Sequence, residues 1–180
     1  MSEERVWLVT GASRGIGLAV ARRIVDAGAR VALLARGAAV HALADELGGN
    51  CLACQADVSK ADDVRAAIAS IISHWGRLDV VVKNYGAHRG GKLSRLQEYD
   101  WQTVLDTNLT GAMSVCKAAS EHLTEGGAIV NIGAVVGFRG FPGDADYASS
   151  KAGLAGITRV LSIELAPRGV TVNLVIPGLV

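Results

Sequence analysis

The sequence predicts a doubly wound α/β domain: a mostly parallel sheet with helices on both faces. Three observations carry this. Short β-branched apolar runs alternate with longer stretches of helical periodicity along the whole chain. The strand runs are apolar throughout rather than alternating, as expected of strands covered on both faces. No linker, low-complexity segment or repeat divides the 180 residues, so residues 1–180 read as a single domain.

The elements follow in order. Val6–Thr10 (VWLVT) is a strand. Gly15–Ala27 is a helix with Ile16, Ala19, Val20 and Ile24 on one side. Arg30–Ala35 is the second strand and Ala38–Leu47 the second helix. Cys51–Ala56 is a strand and Ala61–His74 a helix that Gly76 ends. Leu78–Val82 is a continuous apolar strand. A long helix is predicted over Trp101–Leu123, a strand over Ala128–Ile132, a helix over Tyr147–Leu165 and a last strand over Val170–Ile176.

Composition narrows the function classes. Eighteen basic and seventeen acidic side chains give a net charge of +1, which leaves no global field to hold nucleic acid or an anionic membrane. The start of the chain does not resemble a signal peptide, and no apolar run reaches membrane-spanning length. Three cysteines, an odd number, read as reduced thiols of a cytoplasmic protein. Cys51 and Cys54 lie in a strand, where i and i+3 face opposite ways, so they are not expected to share a metal or a disulfide. The four histidines have no ligand spacing, and no metal site is expected.

Doubly wound sheets bind ligands beyond the carboxyl ends of their strands. The first such loop is Thr10-Gly11-Ala12-Ser13-Arg14-Gly15-Ile16-Gly17. Three glycines between a strand and a helix permit a sharp turn, and let backbone approach a pyrophosphate at a helix start. At the end of the second strand, dinucleotide folds usually carry an acidic residue for the ribose hydroxyl. This chain has Arg36 there, and Arg14 within the turn. Guanidinium groups bind phosphate bidentately, so the pair points to NADP(H) over NAD(H), against the alternative of two solvated surface arginines. Asp57 closes the third strand, where it either reaches an adenine amino group or caps the next turn.

These motifs resemble the short-chain dehydrogenase/reductases, and within them the 3-oxoacyl-(acyl-carrier-protein) reductases. The resemblance spans essentially the whole chain. It rests on TGASRGIG at 10–17, ADV at 56–58, NLTG at 108–111, IVNIG at 129–133, YASSK at 147–151 and VTVNLVIPG at 170–178. It implies a cytoplasmic NADPH-dependent oxidoreductase of fatty acid biosynthesis that reduces a ketone, with a 3-oxoacyl thioester as substrate and acyl carrier protein a possible partner. It implies Tyr147 as proton donor, Lys151 as the group that lowers the tyrosine pKa and holds the nicotinamide ribose, and Asn108 as support for the lysine through a water. The cofactor would lie along Gly11, Ser13, Arg14, Gly15, Ile16, Gly17, Arg36, Asp57, Val58, Asn84, Gly86, Tyr147, Lys151, Pro177, Gly178 and Val180. It also implies a homotetramer packed through the helices of Asn108 and Tyr147. Small residues there (Ala112, Ala118, Ala148, Ala152, Gly153, Ala155) suit either close contact between subunits or packing within one. A hetero-oligomer is the other option.

The chain departs from the family pattern at three places. Ala134 stands where a serine would hydrogen-bond the substrate carbonyl, and no hydroxyl lies between Asn131 and Asp146. Loss of one such donor costs about 10²–10³ in rate. Lys83-Asn84-Tyr85-Gly86 replaces Asn-Asn-Ala-Gly. Tyr85 then either crowds the cofactor or points outward, and Lys83 opens a locally basic loop with His88, Arg89 and Lys92 that faces either an acidic carrier or solvent. The third departure is the end of the chain, where the family continues beyond the sixth strand. Thr171–Ile176 is therefore expected at an exposed sheet edge, which a longer natural chain or a partner would cover. An active reductase, a catalytically impaired reductase-like subunit beside an active paralogue, and a regulatory dinucleotide-binding module remain as alternatives.

Overall fold

The computed structural model describes residues 5–178. The sheet comprises β1 (Val6–Thr10), β2 (Arg30–Ala35), β3 (Cys51–Gln55), β4 (Leu78–Lys83), β5 (Leu123–Ile132) and β6 (Thr171–Val175). Its order is β3-β2-β1-β4-β5-β6, and every pairing is parallel. The order reverses between β1 and β4, which opens a crevice at their carboxyl ends.

The helices are α1 (Gly15–Asp26), α2 (Ala39–Leu47), α3 (Ala61–Trp75), α4 (Glu98–Leu105), α5 (Gly111–Ser120), α6 (Val136–Arg139) and α7 (Ala145–Glu164). Strands apolar on both faces create two cores. Val9, Val31 and Leu33 face Ala21 and Ile24 of α1 and Val40 of α2. Leu8, Leu34 and Val81 face Ile68 and Ile71 of α3 and Val115 and Ala119 of α5, with Leu161 of α7 beside them. Cys54 belongs to the second core and Cys51 packs against the first, on opposite faces as their spacing predicts. All three cysteines are free. Among the described residues there is no cluster of metal-ligating side chains and no helix long and apolar enough to cross a membrane.

Three elements depart from the sequence reading, one of them α6 (Val136–Arg139), where no helix is expected. The single long helix over Trp101–Leu123 is instead α4 and α5 joined by a π-helical turn, Asp106–Thr110. The π turn adds a residue to the helical path. The strand expected from Ala128 begins at Leu123, which pairs with Leu78 before an irregularity in register. The register passes from Leu123 to Ala128, so Glu125-Gly126-Gly127 fall within the irregularity, with Gly126 at φ 71°. The predicted edge is as expected: β6 is the last strand, and Val175 and Ile176 beside its end are exposed.

Candidate active site

The crevice at the switch point is a cleft of about 370 Å³. Of the residues expected to hold a cofactor, Gly11, Ser13, Arg14, Gly15, Ile16, Arg36, Val58, Asn84 and Gly86 line it; Thr107, which the sequence reading missed, joins them from the π turn. Gly11 has φ 64° and Gly15 φ 56°, the left-handed region where a side chain is strained. Gly17 sits behind the turn: a Cβ there would lie 2.3 Å from the Gly11 carbonyl oxygen, so its role is close packing of α1 on the turn. Asn84 fixes the turn from β4. Its Nδ2 donates to the Gly11 carbonyl at 3.3 Å, and its backbone N–H donates to Thr10 Oγ1 at 3.1 Å.

Arg14 and Arg36 are both exposed at the cleft. Asp57 takes the capping role. Its Oδ1 accepts from Ser59 N at 3.0 Å and from Ser59 Oγ at 2.8 Å. Burial pushes its carboxyl up, but the Ser59 hydrogen bonds and the charges of Arg36 and Lys60 outweigh this and hold its pKa below the ordinary value.

Tyr147 and Lys151 project from one face of α7, four residues apart. Lys151 Nζ lies 5.6 Å from the centre of the Tyr147 ring and donates to the Ile132 carbonyl at 3.0 Å. Burial lowers the Lys151 pKa to about 8. The Tyr147 pKa is raised, by burial and then by the charge of Asp144, where a lysine-lowered phenol is the family expectation. The reason is that α7 tucks the phenol in, while burial weakens the hold of Lys151 on its own proton. Tyr147 is thus kept as the phenol.

Asn108 is wholly buried at the centre of a network. Its Oδ1 accepts from Ala87 N at 2.7 Å, and its Nδ2 donates to Ala87 O at 2.8 Å and to Ser150 Oγ at 2.9 Å. Ser150 Oγ donates in turn to the Tyr147 carbonyl at 2.8 Å. Asp146, also wholly buried, accepts from Tyr147 N at 2.7 Å and Gly90 N at 3.4 Å. The sequence reading missed Ser150 and Asp146, although both flank the tyrosine and lysine in the motif. Gly86 borders the lysine: a Cβ there would lie 3.4 Å from Lys151 Nζ.

Ala134 lies in the turn between β5 and α6. Val135 N donates to the Pro177 carbonyl at 3.0 Å, and a Cβ on Gly137 would lie 2.8 Å from Ala152 N of α7. The turn is therefore held against α7, with a methyl group at residue 134. Pro177 thus positions this turn by its backbone; Gly178 is exposed, and Val180 lies outside the described residues.

The replaced segment after β4 differs most from expectation. Lys83 is wholly buried and takes no part in a basic loop; its Nζ donates to the Asn108 carbonyl at 3.3 Å. His88 Nε2 lies 2.9 Å from Asp144 Oδ1 and Arg89 pairs with Asp100 at 3.6 Å, so acidic side chains stand against both. Tyr85 is half-buried and lines the cleft, while its ring packs against the core beside Lys83 and its buried hydroxyl has no hydrogen-bond partner among the described residues. Strand alternation puts residues 83 and 85 on one face, and that face is turned inward. Among the small residues of the helices, Ala112 is wholly buried and a Cβ on Gly153 would lie 2.8 Å from the Leu109 side chain, so both serve packing within the chain.

Residues 5–180 match the family described as short chain dehydrogenase. A 3-oxoacyl-(acyl-carrier-protein) reductase FabG of Staphylococcus aureus is 42% identical over 180 residues, 96% of this chain and 73% of the relative. A 3-oxoacyl-(acyl-carrier-protein) reductase of Synechocystis is 42% identical over 98% of this chain and 74% of its own length. Among solved structures, a short chain dehydrogenase from Burkholderia cenocepacia in complex with NADP superposes with a TM-score of 0.92 at 38% identity, over 97% of this chain and 74% of that one. A dehydrogenase/reductase from Sinorhizobium meliloti gives a TM-score of 0.92 at 37% identity, over 97% of this chain and 71% of that one. The glycine turn, the cleft behind it and the tyrosine–lysine helix are thus those of an oxidoreductase family, and the chain belongs to the short chain dehydrogenases.

Proposed function

We propose that the protein is an NADPH-dependent reductase that converts a ketone, with 3-oxoacyl thioesters as the substrate class, to an alcohol. One observation carries this: Tyr147 and Lys151 share a helix face that the Asn108 network ties to the cleft carrying Arg14 and Arg36.

The cleft fits the cofactor. Positive-φ backbone at Gly11 and Gly15 and the start of α1 suit a pyrophosphate, and Arg14 and Arg36 suit a further phosphate. Bound there, the reduced nicotinamide supplies hydride to the carbonyl carbon. Tyr147, held as the phenol, donates its proton to the carbonyl oxygen. Lys151 stands ready to return a proton, and its pKa of about 8 suits exchange near neutral pH. Asn108 and Ser150 fix the α7 backbone on which both act.

The names of the relatives support the substrate class and acyl carrier protein as its bearer; the contacts of His88 with Asp144 and of Arg89 with Asp100 weaken the basic-loop argument for the latter. Exposed Met113 on α5 and Val160 and Ile163 on α7 support a homotetramer packed through these helices. A cytoplasmic location is part of the same proposal, and the absence of a membrane-spanning helix among the described residues is consistent with it.

Ala134 favours a second reading, a subunit that binds cofactor and turns over poorly. NADPH absorbance followed with a 3-oxoacyl thioester separates the two. Catalytic consumption supports the reductase. Binding of NADPH without consumption supports the subunit, and absence of NADPH binding overturns both.

A further inference from the structure

The loop after β4 closes onto the start of α7 at three points. Gly91 N donates to the Gly143 carbonyl at 2.7 Å, Gly90 N to Asp146 Oδ2 at 3.4 Å, and His88 Nε2 to Asp144 Oδ1 at 2.9 Å. A carboxylate only accepts, so the third contact puts a proton on Nε2. Asn108 fixes the root of this loop through Ala87, the residue before His88. The imidazole also meets the Tyr147 ring: the ring centres are 5.3 Å apart and the planes stand at 89°. Such edge-on packing is attractive between aromatic rings.

Two details give the His88–Asp144 pair a purpose beyond a surface contact. Asp144 is the N-cap residue of α7, where an aspartate side chain ordinarily accepts from a backbone N–H of the first turn. Here that side chain caps nothing and turns to His88 instead. Gly90 has φ 68°, and a Cβ there would lie 2.9 Å from His88 Cε1, so the loop leaves room for the imidazole where it stands. Among the described residues no hydrogen bond holds the Tyr147 hydroxyl, and what packs against the ring sets its direction.

We propose that His88 is a positioning residue for Tyr147: anchored by Asp144, its imidazole braces the phenol ring and fixes the direction in which the hydroxyl faces the substrate carbonyl. The inference rests on the proton-donor role given to Tyr147 above. A misplacement of about 1 Å costs roughly 100-fold in rate. Neither His88 nor Asp144 lines the cleft of Arg14 and Arg36, so the brace acts on the chemical step and not on cofactor binding. His88 is half exposed, and a pair of this kind contributes little to stability, so its loss should leave the fold intact.

The test is steady-state reduction of a 3-oxoacyl thioester by the native chain, His88→Ala, Asp144→Ala, the double variant and Asp144→Asn. His88→Ala and Asp144→Ala should each lower kcat about 10–100-fold and leave the KM for NADPH unchanged. The double variant should be no slower than either, because both changes remove one brace. Asp144→Asn keeps an oxygen that accepts from Nε2 and should keep most of the activity. An unchanged kcat in His88→Ala, a loss confined to KM, or losses that multiply in the double variant overturns the proposal. NMR of the free protein decides without turnover, and decides also should His88→Ala not fold. A nuclear Overhauser effect between the His88 and Tyr147 rings is expected in the native chain and should vanish in Asp144→Ala. Its absence from the native chain, or its persistence in Asp144→Ala, overturns the proposal. The expected pattern in a chain that reduces no 3-oxoacyl thioester upholds the brace and defeats the reductase reading. Turnover by a native chain without the ring contact does the reverse.

Discussion

Asn108 clamps the backbone of Ala87 from both sides, accepting from its N–H at 2.7 Å and donating to its carbonyl at 2.8 Å. One side chain thereby ties the loop after β4 to the π turn, and through Ser150 to α7. Asn108→Ala removes three buried hydrogen bonds and leaves their partners unsatisfied. The expected cost is about 2–4 kcal/mol in urea unfolding, with loss of turnover. Unchanged stability would show that water replaces the clamp.

Arg36 lines the cleft and is exposed there, and the proposed function gives it a phosphate to bind. Arg36→Ala should weaken NADPH binding about 10–100-fold, the worth of one charge-assisted hydrogen bond, and leave NADH binding nearly unchanged. Fluorescence titration with both nucleotides checks this. Equal losses for both would assign Arg36 to the ribose or the fold rather than to the phosphate.

Ala134 supplies no hydrogen bond to a substrate carbonyl. Ala134→Ser should raise turnover of a 3-oxoacyl thioester by about 10²–10³, as a restored donor predicts. Steady-state NADPH consumption measures it. No gain would mean that the turn after β5 does not aim residue 134 at the substrate.

Much of this was legible in the chain. The strands could be read because six apolar runs announce a covered parallel sheet, and the glycine turn because its residues sit between a strand and a helix. Tyr147 and Lys151 could be read from a spacing of four on one helix. The π turn could not, since α and π turns share the same apolar residues and only packing around Asn108 separates them. Nor could the burial of Lys83 and Tyr85: a lysine after an apolar run reads as the start of a solvated loop. Their inward turn depends on how far β4 extends along β1, where Thr10 pairs with Lys83.

Lys83 also gives stability a pH slope. Its native pKa of about 7 lies below the unfolded value of about 10.4, so the unfolded chain binds more protons between them. Stability should rise with pH over that window. Lys83→Met should lessen the rise, leaving the part that Lys151 contributes above about 8, and stabilise the fold at neutral pH by about 1–4 kcal/mol. Urea midpoints across the window test both statements, and parallel curves for the two proteins would refute them.

Asp79 acts in the same sense, but in the acid range. Its buried carboxylate accepts from Val6 N at 2.8 Å, Thr124 Oγ1 at 2.6 Å and Arg77 at 2.7 and 2.9 Å. Burial raises its pKa, but hydrogen bonds from Arg77, Thr124 and Val6 outweigh this and hold it below the ordinary aspartate value. The stability it contributes is complete above the unfolded aspartate pKa and is lost as pH falls through the depressed native one. Asp79→Ala should cost about 2–4 kcal/mol at neutral pH and little in strong acid, as read by thermal unfolding. An equal cost at both would point to packing alone.

The central claim is hydride delivery beside the phenol and amine of α7. Its most direct test is mass spectrometry of the product formed from a 3-oxoacyl thioester and NADPH deuterated at the transferable position of the nicotinamide. The account predicts one deuterium on the former carbonyl carbon with the native chain and almost none with Tyr147→Phe. No deuterium from the native chain, or equal labelling by Tyr147→Phe, would contradict it.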